Sequence, residues 1–246
     1  MDLLRSTSLV GEMAEKVCAC LQRYRQIQES EPIAVALSGG KDSWTLLALL
    51  SWLRQTGKLA NDLLALHIDL GFPEAESRLS ALRDGCQSAD VPLLVETTRI
   101  GPEAIADGGK RPCFLCARQR RKALYELAAA NNARLIATGH HRDDVLASFL
   151  INLFENREIS TLTPRQEIFA GQLILIRPLY DMPEQRIDVL FKQQKFPVVS
   201  SGCPIDGKTR RAAAEAALAA LEQHFPNGRD ALFTALHKVK NNFLPS

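Results

Sequence analysis

Five short apolar runs, each closed by turn residues and followed by a helical pattern, constrain this chain more than any other feature. They are Ile33–Leu37, Leu63–Asp69, Pro92–Thr97, Arg134–Thr138 and Leu173–Pro178. Their length and branching are those of buried strands. Helical stretches fall between them, near Trp44 to Leu53, Glu74 to Ala89, Cys113 to Asn131 and His141 to Asn156. Strands that alternate with helices are joined by right-handed crossovers, so the expected architecture is α/β, a doubly wound five-stranded parallel sheet. Leu9, Met13, Val17 and Leu21 have the spacing of an entry helix, and everything after Met182 reads as helices. The expected division is residues 1–30 as an N-terminal helix, 31–181 as the sheet domain and 182–246 as a helical extension. In such a sheet ligands sit beyond the carboxyl ends of the strands. That rule gathers the loop after Leu37, Asp69, the loop after Thr97 and Gly139-His140-His141 around one crevice.

The first strand breaks at Ser38-Gly39-Gly40-Lys41-Asp42-Ser43 and a helix begins at once. Paired glycines let the backbone approach a ligand closely, and the first-turn N–H groups point outward as donors for an anion. Lys41 adds a positive charge, and Ser38 and Ser43 add hydroxyls; the ligand that fits is a phosphate group. The plainer alternative is a strand-to-helix turn capped by Ser38 or Asp42. A Walker loop would need glycine where Val35 stands, which removes the main support for a kinase-like or GTPase-like reading.

A net charge of +2 is too small to demonstrate a nucleic-acid partner. Local clusters say more: Lys110-Arg111, then Arg118, Arg120, Arg121 and Lys122, then Lys208, Arg210 and Arg211. Each lies beside a cysteine, although a solvated helix face explains charge runs equally well. No apolar run reaches the length of a membrane span, and the first residues lack the pattern of a secretion signal, so the cytoplasm is the expected compartment. Six cysteines in such a chain argue against a disulfide framework. Cys18, Cys20 and Cys86 read as small apolar residues. Cys113-Phe114-Leu115-Cys116 puts two thiols one helical turn apart, with Pro112 ahead and cations after, a setting that favours thiolates. Alone, the pair fits a redox dithiol, half a zinc site or part of an iron–sulfur site. With Cys203 as a third thiol, three irons of a [4Fe-4S] cluster could be held and the fourth left open. All three readings stand on the residues alone.

Ser-Gly-Gly-Lys-Asp-Ser resembles the pyrophosphate-binding loop of the ATP pyrophosphatase superfamily, whose members cut ATP between its α and β phosphates and adenylate an oxygen of their substrate. The likeness then extends along nearly the whole chain. Cys-Phe-Leu-Cys with Arg120-Arg121, Gly-His-His-Arg-Asp-Asp at 139–144, Ile-Arg-Pro-Leu at 176–179, Phe-Pro-Val-Val before Cys203, and a closing Phe-Pro-Asn-Gly-Arg occur in that order. Together they resemble the tRNA-cytidine 2-sulfurtransferase family. The resemblance implies a Rossmann-like, adenine nucleotide alpha-hydrolase-like sheet and the ATP-dependent thiolation of cytidine 32 in the tRNA anticodon loop. It implies ATP, Mg2+ and a [4Fe-4S] cluster as cofactors, tRNA as partner and a cysteine desulfurase as sulfur donor, and it leaves a homodimer open. Gly39, Gly40 and Lys41 would hold phosphates, Ser38 and Ser43 would orient them, and Asp42 would hold magnesium. Arg120 would stabilise the adenylated intermediate and Asp143 would join the active site. Asp69, Gly139 and His140 would face the nucleotide, and Cys113, Cys116 and Cys203 would ligate the cluster. Two departures stand out. Where the family often carries a second Cys-x-x-Cys, Ser201 falls near the first position and only Cys203 remains. The segment from Glu155 to Gly171 is also less basic and less glycine-rich than an RNA-facing loop. Alternatives are a related sulfur-transfer enzyme acting on another RNA base or a small molecule, and a zinc-stabilised nucleotide-binding regulator.

Overall fold

The structure, a computed structural model, describes residues 7–27, 31–73, 75–106, 112–194, 196, 199, 202–205 and 210–243. Lys110, Arg111, Ser201 and Lys208, named above, lie outside the described residues. In chain order the elements are α1 (Ser8–Arg23), β1 (Ile33–Ala36), α2 (Lys41–Gln55), β2 (Leu63–Asp69), α3 (Ala75–Ser88), β3 (Leu93–Thr97), α4 (Ile100–Ala106) and α5 (Pro112–Ala130). There follow β4 (Leu135–Ala137), α6 (Arg142–Ile151), a π-helical turn over Asn152–Asn156, β5 (Arg165–Ile168), β6 (Leu173–Ile176), α7 (Glu184–Gln194), α8 (Arg210–His224) and α9 (Gly228–Leu236). Contacts divide the chain into two compact units, residues 1–141 with 164–206 and residues 142–163 with 207–246.

The first unit holds one six-stranded sheet in the order β3-β2-β1-β4-β6-β5. Five strands are parallel as expected; the sixth, β5, runs antiparallel to β6 with Ile168 opposite Leu173. The expectation of five strands is therefore corrected to six. Arg165-Gln166-Glu167-Ile168 has no apolar run, because an edge strand needs to bury little of either face. Strand alternation sorts the core into two layers. Ile33, Val35, Leu63 and Ala65 pack with side chains of α1, α2 and α3, while Ala34, Leu66 and Ile136 pack on the other face against Ala128 of α5. Every position of α2 from Ser43 to Ser51 is buried, Trp44 completely. Gly85 of α3 exists for that ring: a Cβ there would lie 2.2 Å from its Cη2.

The hairpin joining β5 to β6 is unusual. Phe169 and Ala170 take φ of 50° and 54° ahead of Gly171 at 83°. Two consecutive non-glycine residues in the left-handed region cost roughly 1–2 kcal/mol each.

In the second unit α6, α8 and α9 close over Leu146, Leu150, Ala214 and Leu218, with Leu232, Phe233 and Leu236 at the margin. The polar side of this small bundle is built around Arg229, whose guanidinium reaches Asp143 at 2.8 Å, Glu215 at 3.0 Å and Glu222 at 3.0 Å.

Candidate functional site

The site begins where β1 ends. Leu37 N–H still donates to Leu66 O in the manner of the sheet, and the half-buried His67 donates from Nδ1 to Leu37 O at 2.7 Å. Burial depresses the His67 pKa, and nearby Arg78 and Arg120 depress it further, against the pull of Leu37 O and Asp69. A neutral imidazole therefore fixes the carbonyl immediately before Ser38. The chain then turns: Ser38 Oγ and Ser43 Oγ lie 3.1 Å apart, Gly40 N–H donates to Ser38 Oγ, and Ser43 Oγ donates to Gly40 O at 2.9 Å. Gly40 caps α2 with extended backbone, so the amides of the first helical turn stand at the mouth of the loop.

Gly39 has φ of +86°, and a Cβ on it would lie 2.7 Å from Val199 Cβ. Val199 N–H also donates to Gly39 O at 3.3 Å. The close approach that the glycine permits here is made by the chain's own valine, four residues before Cys203. Gly139 is needed for a second close approach, since a Cβ there would sit 2.9 Å from the Asp42 carbonyl carbon. It lets the turn after β4 lie directly against the start of α2. His140 beside it is exposed, its Nδ1 2.8 Å from Thr138 Oγ1, whereas His141 is completely buried with Nε2 3.8 Å from Asp42 Oδ1.

Lys41 does not point into solvent. Its ammonium lies 2.5 Å from Glu184 Oε1 and 2.6 Å from Asp188 Oδ1, one turn apart on α7, and 3.7 Å from Asp42 Oδ1. Burial works against the charge, but the carboxylates outweigh it and its pKa is raised. Glu184, Asp188, His67 and Val199 are the members of this constellation that sequence reasoning missed. Only His67 left a local trace, a lone histidine inside an apolar strand.

Asp69 closes β2. Its carboxylate accepts from Gly71 N–H at 3.2 Å while its backbone carbonyl takes both the N–H and the hydroxyl of Thr98. The turn so formed is buttressed by Arg78, which donates to the Phe72 and Pro73 carbonyls. Arg78 also meets the cysteine loop, because a Cβ on Gly202 would lie 2.9 Å from its Nη1.

All six cysteines are free thiols. Cys113 is exposed at the start of α5, and Cys116 and Cys203 are half-buried. Burial raises the Cys116 pKa, Arg120 one turn further on pulls it down, and negative charge on Cys203 and Cys113 pushes it up again. Cys116 thus feels both the Arg120 guanidinium and the other two thiols. Among the described residues no group of three or more His, Cys, Asp or Glu side chains is placed to hold a metal ion. Cys20 and Cys86 stay apart from this group; burial holds both thiols up at about 12.

Asp143 and Asp144 open α6 and belong to the second unit. There Asp143 is held by Arg229 and Asp144 by Arg211 at 2.6 Å.

Residues 12–213 match the PP-loop domain family. The chain is 31% identical over 245 residues to a tRNA-cytidine(32) 2-sulfurtransferase of Paraburkholderia phymatum, covering 95% of this chain and 70% of that protein. To the protein of the same name from Pelobacter propionicus it is 34% identical over 242 residues, covering 96% and 88%. Among solved structures, the U34-tRNA thiolase NcsA from Methanococcus maripaludis, determined with its [4Fe-4S] cluster, superimposes with a TM-score of 0.77 at 20% identity. That superposition covers 94% of this chain and 79% of the thiolase.

Proposed function

The chain belongs to the tRNA-cytidine 2-sulfurtransferase family of PP-loop proteins and is a sulfurtransferase, and from that premise we propose that it spends ATP to replace the C2 oxygen of a tRNA cytidine with sulfur drawn through an iron–sulfur cluster. The observation that carries this reading is the Val199–Gly39 contact, which fastens the segment leading to the third cysteine onto the glycine turn. A loop suited to polyphosphate and a loop suited to iron are one connected structure.

In this reading the cytosine C2 oxygen attacks the α-phosphorus of ATP, the bond to the bridging oxygen breaks, and pyrophosphate leaves. The amides of Gly39, Gly40 and Lys41 hold the departing anion, the ammonium of Lys41 offsets its charge, and Ser38 and Ser43 keep the turn in shape. Asp42 has the position for Mg2+, which binds through one or two carboxylates and phosphate oxygens. Asp69, Gly139 and His140 border the nucleoside. Sulfur then adds at C2, and AMP leaves with the former C2 oxygen. A [4Fe-4S] cluster on Cys113, Cys116 and Cys203 would supply an iron without a protein ligand as the carrier of that sulfur. Arg120, which already stabilises negative charge at Cys116, offsets the charge that gathers during transfer. A zinc-stabilised regulator would instead hold its thiolates about 2.3 Å from one ion, and the colour of the anaerobically purified protein separates the two readings. A cysteine desulfurase is the proposed upstream donor.

Anaerobic reconstitution with iron, sulfide, ATP and tRNA tests this, read by nucleoside mass spectrometry. Wild type should be brown and form 2-thiocytidine with release of AMP and pyrophosphate; Cys203→Ala should lose both colour and product. A colourless zinc protein, or full thiolation by Cys203→Ala, would defeat the reading.

A further inference from the structure

A cavity of about 640 Å³ opens at the amino ends of β4 and β6, the opposite end of the parallel strands from the glycine turn. Lys122, Tyr125 and Ala129 of α5 line one side, and Arg134, Phe169 and Leu173 the other. Its size is that of a small-molecule site, and its mixture of rings and cations is specific. Tyr125 meets Phe169 edge-on with centroids 5.9 Å apart. The Phe169 ring remains 59% exposed although its backbone is held in the strained left-handed region. A bulky aromatic in that conformation at a hairpin tip presents its ring outward, beside the cavity.

The same side of α5 continues away from the cavity. Phe114, Arg118, Arg121, Lys122 and Tyr125 are spaced three, four or seven residues apart, so they share one face of the helix. Phe114 is 58% exposed, and Arg118, Arg121 and Lys122 are exposed as well. Glu126 is the one carboxylate among them, 3.6 Å from Lys122 in a surface pair that is worth little. Cys113, Cys116 and Arg120 occupy the opposite face of the same helix, and Phe114, where the stripe starts, follows Cys113 directly in the chain. Cations interleaved with exposed rings form the pattern that tracks a single nucleic-acid strand, phosphates on the cations and bases on the rings.

We propose that this face of α5 is a single-stranded RNA track ending in a base pocket, where one unpaired base stacks on Phe169 beside Tyr125 while Arg118, Arg121 and Lys122 run along the phosphates. This rests on the tRNA reading and deepens it, since it assigns part of the substrate's footprint to an end of the sheet remote from the chemistry. Tyr125 forms the inner wall and Lys122 with Arg134 the rim.

Fluorescence anisotropy with three probes, a full tRNA transcript, an unstructured RNA 12-mer and CMP, separates the outcomes. Phe169→Ala should weaken both RNAs about fivefold or more, the low end of one lost base stack, while Phe169→Trp restores them and ATP affinity stays unchanged in both. The double variant Arg118→Ala, Lys122→Ala should lower the salt slope of RNA binding by about 1.4, two single-strand phosphate contacts. If wild type binds tRNA and every variant stays within twofold of it, the track is overturned and the thiolation reading stands. If wild type binds neither RNA, both fall. CMP bound in the cavity with RNA affinity untouched by the variants would also overturn the track, in favour of a free-nucleotide pocket.

Discussion

Substituting Gly39 with alanine separates two reasons for the glycine that sequence alone merges. The first is conformational: φ of +86° lies in the left-handed region, and alanine there costs roughly 1–2 kcal/mol. The second is steric, because the new methyl would stand 2.7 Å from Val199 Cβ, inside any tolerated carbon–carbon contact. Val199 is itself 8% exposed and has little room to retreat, so overpacking adds about 1–3 kcal/mol. The sum, about 2–5 kcal/mol, should lower the thermal midpoint by about 4–20 °C for a protein of this size. Repeating the substitution in a Val199→Gly background removes the steric part and leaves the conformational part. The double-mutant cycle should therefore give a coupling of about 1–3 kcal/mol, well above the scatter expected of independent sites. Differential scanning fluorimetry gives the ranking, and urea titration the free energies. Equal costs of Gly39→Ala in both backgrounds would show that Val199 does not rest on the glycine turn, and the proposed link between the two halves of the site would go with it.

Two further perturbations test charge and burial. Neutralising α7 with Glu184→Gln and Asp188→Asn frees Lys41 from the carboxylates that hold it at 2.5 and 2.6 Å. ATP should then bind several-fold tighter by isothermal titration, because two competitors for the ammonium are gone; weaker binding would mean these carboxylates serve the nucleotide's magnesium instead. Burial pushes the Cys86 thiol from 9.0 up to about 12. With the folded pKa above the unfolded one, its contribution to stability is complete below about pH 9 and disappears as pH climbs towards 12. Cys86→Ala should flatten the alkaline decline in unfolding free energy by about 1.4 kcal/mol per pH unit, and an unchanged slope would contradict the burial.

The parallel strands were legible because each is buried on both faces and reads as a continuous apolar run. β5 was not, since Arg165, Gln166 and Glu167 sit at an edge and look like loop. The helix expected from His141 to Asn156 is α6 followed by a π-helical turn that ends at Arg157 with φ of 59°, a change of winding that no apolar spacing encodes. At the site, the glycines, Lys41 and the Cys113–Cys116 pair announced themselves through local spacing. Their partners did not. Glu184 and Asp188 are separated from Lys41 by more than 140 residues and look like ordinary helix-surface acids, and Val199 looks like any core valine. The Arg229 partner of Asp143 was equally silent, since in the sequence it stands out only as part of a closing motif.

Two anchored residues lead into Cys203. Val199 is tied to Gly39 upstream, and Gly202 lies against Arg78 immediately before the thiol. A ligand already confined by its neighbours gives up little freedom when it captures a guest. Under the proposed iron–sulfur role, loading of the cluster should follow folding as a quick, nearly rigid insertion, and stripping it should leave behind a receptor still shaped for its return.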